Sequence, residues 1–450
     1  MRKITLLFII AFIINLTGFS QTCLPEGIVF TTQVEIDNFQ INYPGCTEIE
    51  GEVEINGKEI NNLNGLSVLT TIGKSLFINE NHSLTSLSGL ESLTSIGESL
   101  IIWLNPILTN LSGLDNVTFI GISIHIGNNN SLTSLSGLEK LTTIEMDVKI
   151  IANNSITNLS GLDNLSSIGK DLDIFNNYAL LSLSGLENLI SIGKNLQIQN
   201  NPVLTSLSSL NNLTSICNDV YITDNYALIN LSGLENLTSI GKYSFIIENN
   251  DALVSLTGLD NLTSIIGSLY ILNNDALTSL TDLDNVTSIG GILMITDNNN
   301  LKKLTGIDNI DAEPISGLHL NSNSLLSECE VKSICDFISN PTGIIEIYDN
   351  ATGCNSQEEI EIACKSGWIP DINNESEFMI FPNPAQNKIF ISAKEGNKII
   401  EVNIFNQLGQ KVISEKQLTN VIDISKLRQG IYIIELVSDN SRIREKLIVK

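Results

Sequence analysis

The sequence predicts a mainly β protein in which a capped, right-handed β-solenoid is followed by a small C-terminal β-sandwich. Three observations lead there. A motif repeats every 24 residues or so, hydrophobic residues make up 42% of the chain but aromatic residues only 5%, and the charge balance changes near residue 370. A fixed period of this size is typical of stacked rungs that bury a continuous core together. At 450 residues the chain is also long enough for more than one domain.

An asparagine recurs once in each repeat, 24 or 25 residues after the previous one. Equivalent side chains in stacked rungs lie about one strand spacing apart, ~4.8 Å. Buried amides at that spacing can hydrogen-bond from rung to rung and satisfy backbone groups in the turns. The sequence therefore predicts a structural column of Asn81, Asn105, Asn129, Asn153, Asn177, Asn201, Asn225, Asn250, Asn274, Asn298 and Asn323.

Each repeat between residues 61 and 325 contains one short strand. In one copy, the apolar residues Leu196 and Ile198 alternate with Gln197 and Gln199, which predicts a strand with one face directed inward. Gly193 interrupts the apolar spacing just upstream, so a helix is not favoured there. Each rung is predicted to be one strand joined to short extended or turn segments.

The repeat resembles the receptor L domain, a relative of leucine-rich repeats that occurs in growth-factor receptor ectodomains and bacterial surface proteins. The resemblance covers about residues 46–325. It rests on the motifs Leu-x-Ile-x-x-Asn-x-x-Leu-x-x-Leu, Ser-Gly-Leu-Glu/Asp-Asn-Leu and Thr-Ser-Ile-Gly. Two residues, not one, separate the Asn from the next Leu, and Gly193 stands where ordinary leucine-rich repeats have an apolar residue. These departures predict the β-solenoid variant, without a helix-backed horseshoe.

The N-terminal segment is predicted to direct secretion. Arg2 and Lys3 precede an apolar run over residues 4–16, and small residues follow, which is the pattern of a signal peptide over residues 1–20. A retained anchor and lipidation at Cys23 are the alternatives. Residues 21–60 are predicted to form an N-terminal cap.

Six cysteines are disulfide candidates, because secretion implies an oxidising compartment. Cys23 and Cys46 bracket the N-terminal cap and are predicted to pair. The C-terminal cap and linker, residues 326–370, contain four cysteines with three possible pairings. Cys329–Cys354 with Cys335–Cys364 is the favoured choice. Zinc is disfavoured there, because no histidine lies nearby, and Cys217 is left as a lone thiol in a turn. The same cap shows helical spacing over 328–338 and a last strand over 344–347.

The segment 376–450 differs in charge and motif. It carries 11 basic and 8 acidic side chains, whereas the whole chain has a net charge of −26. Alternating residues predict six strands, over 388–392, 400–406, 409–414, 421–424, 430–436 and 446–449. The combined motifs resemble the C-terminal sorting domain of the type IX secretion system of Bacteroidetes. The residues that carry this resemblance include Pro382, Asn383, Pro384, Ala385, Gly430 and Tyr432.

That resemblance implies a small β-sandwich that the outer-membrane export machinery reads. Such a tail is usually cleaved as the passenger is attached to the cell surface or released. We therefore expect passage through the periplasm, a secreted or outer-surface location, and the type IX machinery as a partner. The alternative is an ordinary β-sandwich binding module.

Several function classes are disfavoured. A net charge of −26 argues against nucleic acid, which requires clustered Lys and Arg. The sequence contains no Gly-rich phosphate loop, His-Glu-x-x-His or Gly-x-Ser-x-Gly motif. His125 and His319 occupy the same strand position eight rungs apart, so they cannot share a metal or a reaction. We expect neither an enzyme nor a required cofactor.

A carboxylate recurs once per repeat and has three interpretations. Each could cap a turn by accepting backbone N–H bonds, several could bind calcium between rungs, or two could form a glycosidase pair. A glycosidase needs one special pair in a cleft, however, and this column is uniform. Its members are Glu91, Asp115, Glu139, Asp163, Glu187, Glu235, Asp260, Asp284 and Asp308, with Asn211 in the remaining place.

The outward strand positions vary between repeats while the inward positions do not, and some of them are apolar or aromatic. Such residues on an outward face can mark a binding surface. The tentative ligand-binding residues are Trp103, Phe175, Tyr221, Ile246 and Tyr270. Alternatively, an extra loop or a partner molecule simply covers them.

The sequence thus predicts an exported cell-surface binding or adhesion protein with a protein or glycan ligand. The alternatives are a passive surface-layer spacer and a secreted glycan-active enzyme. A spacer should have a uniformly polar sheet, and an enzyme should place two carboxylates across a cleft from each other.

Overall fold

The computed structural model describes residues 21–367, 378–381, 383, 385–393, 399–406, 408–416, 421–438 and 442–450. The predicted signal peptide lies outside these residues. The chain divides into two compact units, Met1–Cys364 and Lys365–Lys450. The first contains the solenoid and the second a set of antiparallel strands.

The solenoid is built on one parallel sheet of fourteen strands, called the long sheet below. Its members are called the long strands. With strands numbered along the chain, they are β2 Ile28–Phe30, β4 Val53–Ile55, β6 Leu76–Asn79, β8 Leu100–Trp103, β10 Ile124–Gly127, β12 Val148–Ile151, β14 Leu172–Phe175, β16 Leu196–Gln199, β18 Val220–Thr223, β20 Ser244–Glu248, β22 Ser268–Leu272, β24 Ile292–Thr296, β25 Gly317–Asn321 and β26 Ile344–Tyr348. The sheet begins at β2, inside the segment predicted as the N-terminal cap. The mainly β solenoid predicted from the repeat is therefore confirmed.

Short strands run along another side of the rungs and pair in the same parallel way. They are β1 Gln21–Cys23, β3 Cys46–Ile49, β5 Thr71–Ile72, β7 Ser95–Ile96, β9 Phe119–Ile120, β11 Thr143–Ile144, β13 Ser167–Ile168, β15 Ser191–Ile192, β17 Ser215–Ile216, β19 Ser239–Ile240, β21 Ser264–Ile265 and β23 Ser288–Ile289. Single 3-10 turns occur at Asn64–Leu66, Ser208–Leu210 and Thr281–Leu283.

Leucine and isoleucine from every rung fill the core. In β16, Leu196 and Ile198 are buried, and they pair in register with Val220 and Ile222 of β18. Full burial of such a side chain contributes about 1.5–3 kcal/mol, and the same contribution recurs at each rung. This inward pattern fixes the register, because a slip by one residue would turn the apolar set outward.

Each long strand from β6 onward ends at a corner where the backbone turns left-handed. The corner residues have φ between 51° and 59°. They are Glu80, Leu104, Asn128, Ala152, Asn176, Asn200, Asp224, Asn249, Asn273, Asp297, Ser322 and Asp349. Most are Asn or Asp, the non-glycine residues that adopt this conformation most readily.

The residue after each corner is the repeating asparagine, and these side chains form the asparagine ladder. The backbone N–H of Asn201 donates to Oδ1 of Asn225 (3.2 Å), while its Nδ2 donates to the carbonyl of Ile174 (3.0 Å). The eleven predicted members are completely buried. A twelfth, Asn350, continues the ladder by accepting from the backbone of Asn323 (3.0 Å). The predicted column is therefore structural.

The solenoid ends carry the helices and the disulfides. Helices α1 (Gln33–Asp37) and α2 (Phe39–Asn42) lie near the start, and α3 (Lys332–Ser339) and α4 (Gln357–Gly367) near the end. In α1, Thr32 and Glu35 form a capping box.

All three favoured disulfides are present: Cys23–Cys46, Cys329–Cys354 and Cys335–Cys364. Cys217 is free and exposed, as expected.

The C-terminal unit contains two antiparallel sheets. One has the order β27-β28-β31 and the other β30-β29-β32-β33. The strands are β27 Phe378–Phe381, β28 Lys388–Ala393, β29 Ile399–Phe405, β30 Lys411–Lys416, β31 Val421–Asp423, β32 Gly430–Ser438 and β33 Arg442–Val449. The sequence predicted all of them except β27. A separate apolar core includes Ile404, Ile434 and Leu447.

Candidate functional site

The outward positions of the long sheet form two columns of side chains. One column contains Tyr221, Ile246 and Tyr270, and the other contains Trp103 and Phe175. All five are partly exposed, while the residues that alternate with them are buried. The structure therefore places every predicted ligand-binding residue on the outward face.

Three of those residues lie on adjacent strands. Tyr221 pairs with Ile246, Ile246 with Tyr270, and Tyr270 with Met294. These four residues, called the aromatic strip below, span three strand spacings of ~4.8 Å each. Leu272, also partly exposed, flanks the strip on β22. Three of the five predicted residues therefore form one continuous apolar strip together with Met294.

Trp103 and Phe175 do not belong to the strip. Trp103 is on β8, five strands away from Tyr221, and its ring extends over Gly127 on β10. Phe175 is on β14, two strands from Tyr221 and in the neighbouring column. The five predicted residues therefore form at least two separate surfaces.

A charged group interrupts the sheet face between Trp103 and the strip. Lys149 Nζ lies 2.9 Å from Asp173 Oδ2 on the next strand. Burial raises the pKa of Asp173, although its hydrogen bond to Lys149 opposes that shift; the same bond raises the pKa of Lys149. Burial is the larger influence on the pKa of Asp173, and its other oxygen, Oδ1, is buried without a hydrogen-bond partner.

His125 precedes Lys149 in the same column. Burial lowers the pKa of His125, and the positive charge of Lys149 lowers it further. Its Nε2 is buried without a hydrogen-bond partner. His125 is therefore expected to be neutral at physiological pH.

A polar ladder lies at the start of the long strands. Asp147, Asp171, Asn195 and Asp219 each accept the backbone N–H of the equivalent residue on the next rung, at 2.7–3.3 Å. The Tyr221 hydroxyl also reaches Asp219 (3.5 Å), and burial followed by that carboxylate raises the pKa of Tyr221. These side chains support the backbone of successive strands, and Asp219 does so beside the strip.

A shallow depression of about 450 Å³ lies where the sheet meets the corner, and sequence reasoning missed it. We call it the rim depression, and it is lined by Phe175, Asn176, Gln199, Asn200, Asp224 and Tyr226. Only Phe175 was a predicted site residue. The missed signal was the recurrence of Asn or Asp immediately before the ladder asparagine, which by itself resembles ordinary loop composition.

Hydrogen bonds hold the polar wall of the rim depression in place. Asn200 Nδ2 donates to Asn176 Oδ1 (2.7 Å). Asp224 Oδ1 accepts from Asn249 Nδ2 (2.8 Å) and from the Tyr226 hydroxyl (3.5 Å). The wall is thus preorganised, and its groups are fixed on rigid rungs.

The carboxylate column has the geometry of turn caps. Glu187 Oε2 accepts the backbone N–H of Gly185 (2.7 Å), and Asp163 accepts that of Gly161 (2.7 Å). Glycines at these turns have φ near 115°, a conformation that other residues avoid. Within the described residues, no group of three or more His, Cys, Asp or Glu could hold a metal ion.

In the C-terminal unit, one residue of the sorting motif hydrogen-bonds to the backbone of the last strand. Asn383 Nδ2 donates to the carbonyl of Lys446 (2.6 Å), and its Oδ1 accepts the N–H of Ile448 (2.9 Å). Ala385 is buried and continues that pairing. Tyr432 donates its hydroxyl to the carbonyl of Arg428 (2.9 Å) near Gly430. Pro382 and Pro384 lie outside the described residues.

Comparison with known families identifies this tail. The family described as "Secretion system C-terminal sorting domain" matches residues 379–450. No curated protein matches the chain. The match indicates export by the type IX secretion system, interaction with its machinery, and a cell-surface or secreted location. The part of the chain that the structure describes contains no helix with the length and hydrophobicity of a membrane span.

Proposed function

We propose that this exported chain is a binding or adhesion protein whose solenoid sheet holds a ligand at the cell surface. The observation that carries the proposal is the aromatic strip of Tyr221, Ile246, Tyr270 and Met294. The chain has a net charge of −26, yet this strip on its outward face is continuously apolar, and such patches often mark interaction surfaces.

The sheet also suits binding because it is rigid. Every strand of the strip is held by backbone pairing and by the asparagine ladder at its end, and β18 and β20 are also held by the polar ladder at their start. A preorganised surface loses little conformational entropy when a ligand binds. A binding role is proposed in preference to a catalytic one, because eight of the nine carboxylates in the repeated column accept a backbone N–H as turn caps.

The test is to probe a glycan and protein array with the full chain. The double variant Tyr221→Ala and Tyr270→Ala should then weaken binding to the detected ligand at least tenfold, because it removes two rings from the strip. Its melting temperature should remain nearly unchanged, since both rings are partly exposed. Tyr243→Ala is the matched control, because Tyr243 is exposed and lies outside the long strands.

Three results would contradict the proposal. An array without any ligand would favour a passive spacer. A double variant that loses stability but keeps its binding would mean that the two tyrosines are structural. Release of reducing sugars from an array polysaccharide would favour a glycan-active enzyme.

A further inference from the structure

We infer that the rim depression is a subsite for a neutral carbohydrate chain that lies along the solenoid axis. The inference rests on the proposed binding function and specifies its ligand. Three properties of the depression support the inference: it contains two aromatic rings, its amides are held by hydrogen bonds, and its lining has no basic side chain. The depression lies beside the aromatic strip, because β18 contributes Tyr221 to the strip and is followed directly by the corner residue Asp224.

Two rings of the depression can contact a sugar. Phe175 is partly exposed on the sheet, and Tyr226 is 45% exposed just beyond the corner. Aromatic faces combine apolar area with low conformational freedom, which suits packing against the C–H face of a pyranose. Neither ring belongs to the solenoid core, which in these rungs consists of Leu, Ile and Val.

The polar groups match hydroxyls. Asn200 uses one Nδ2 hydrogen on Asn176 Oδ1, so Asn200 Oδ1 can accept and Asn176 Nδ2 can donate. Asp224 binds both of its protein donors through Oδ1, which leaves Oδ2 for the ligand. Adjacent donors and acceptors on fixed atoms are what a pair of neighbouring sugar hydroxyls requires.

The charged groups in and near the rim depression restrict the class of ligand. The six lining residues include one carboxylate, Asp224, and no basic side chain. Glu248 is on the next strand, and burial, followed by the charge of Asp224, raises its pKa. An anionic ligand would bring like charge to this surface. Uronate, sulfate and phosphate groups are therefore disfavoured, and an uncharged polyhydroxyl chain is favoured.

The polar rim continues from the depression toward the C-terminal rungs, whereas the corner residue on the other side is Ala152. Asn273 Nδ2 donates to Asn249 Oδ1 (2.7 Å) and Asn249 Nδ2 to Asp224 Oδ1 (2.8 Å). Successive corner residues are ~4.8 Å apart, a distance similar to the length of one unit in an extended glycan. A polymer lying along the six corners from Asn176 to Asp297 would meet an amide or a carboxylate at each step.

The experiment is affinity electrophoresis of the full chain through gels that contain one polysaccharide each. The neutral probes are a β-glucan, an α-glucan, a β-mannan and a galactan, and the anionic probes are alginate and carrageenan. We expect retention by at least one neutral probe and none by the anionic probes. Tyr226→Ala should weaken retention at least fivefold. Tyr226→Phe, which keeps the ring, should be retained like the unchanged protein, and so should Tyr243→Ala.

The outcomes separate this inference from the proposed function. Retention by anionic probes alone, or neutral retention that Tyr226→Ala does not change, overturns the carbohydrate subsite. Retention by no neutral probe also overturns it. In each case the proposed function still stands if the Tyr221→Ala and Tyr270→Ala variant loses its array ligand. If Tyr226→Ala melts early, failure of the well-folded Tyr226→Phe variant to bind overturns the role of the ring.

Discussion

Trp103 and Gly127 share one space on the sheet. The two residues pair on β8 and β10, and a β-carbon added to Gly127 would come within 2.0 Å of Trp103 Cζ3. The absence of a side chain at position 127 therefore lets the indole ring lie over the neighbouring strand. A glycine in a strand usually weakens it, and here the ring covers the backbone that the glycine leaves bare.

Replacing Gly127 with Ala should displace that ring. We expect the tryptophan emission to shift to longer wavelength, because the indole moves into water, together with a modest fall in melting temperature. Gly317→Ala is the matched control, since an added β-carbon there meets its nearest atom at 3.5 Å. Unchanged emission in Gly127→Ala would show that the ring has another place to lie.

Replacing Asn201 with Ala should destabilise the solenoid. The change removes the acceptor of the Asn177 N–H and the donor to the Ile174 carbonyl, and a buried group left without its partner costs roughly 1–3 kcal/mol. Thermal melting measures the effect. Asn188→Ala, which removes one exposed bond to Asp163, should change the melting temperature little. Equal melting of the two variants would mean that ladder amides are dispensable.

Asp173 should make stability depend on pH in a defined direction. Burial raises its folded-state pKa above the usual 3.8, so the unfolded chain ionises first as pH rises. Stability relative to Asp173→Asn should therefore be greatest below pH 3.8 and should fall as pH rises toward the raised pKa. Melting temperatures of both proteins across that range test this. An opposite slope would mean that the ion pair with Lys149 outweighs burial.

The sorting tail should direct export and then be removed. Mass spectrometry of surface-extracted protein should find no peptides beyond about residue 378, because the family match covers residues 379–450. Asn383→Ala should keep the protein inside the cell, since it frees the last strand at Lys446 and Ile448. Abundant surface protein that still carries Lys450 would contradict removal.

The sequence predicted features that depend on the repeat and missed those that depend on local packing. The buried asparagines and the inward Leu and Ile recur with the period, so both could be placed before any coordinates. Asn350 was missed because helix α3 extends the last step of the ladder to 27 residues. The contact of Trp103 with Gly127 depends on a rotamer, which a period does not encode.

The candidate site was predicted in part for the same reason. Alternation along the strands put Tyr221, Ile246 and Tyr270 on the outward face, and their pairing made them continuous. Tyr226 and the corner residues lie outside that alternation. Their proximity to Phe175 follows from the left-handed turn at residues such as Asp224, and a composition rich in Asn does not reveal that turn.

The asparagine ladder has a direction, because every backbone N–H in it points to the Oδ1 of the following rung. Any two neighbouring rungs are consequently joined in the same way. A duplication or loss of one whole period would connect the same donor to the same acceptor, so the number of rungs is free to change during evolution. The two ends of the ladder differ from the repeating rungs. Gly57 contributes only its N–H, which donates to Asn81 Oδ1, and Asn350 Nδ2 donates to the carbonyl of Cys354. The fold therefore permits the solenoid to lengthen or shorten in steps of one rung, while the two ends of the ladder keep their own contacts.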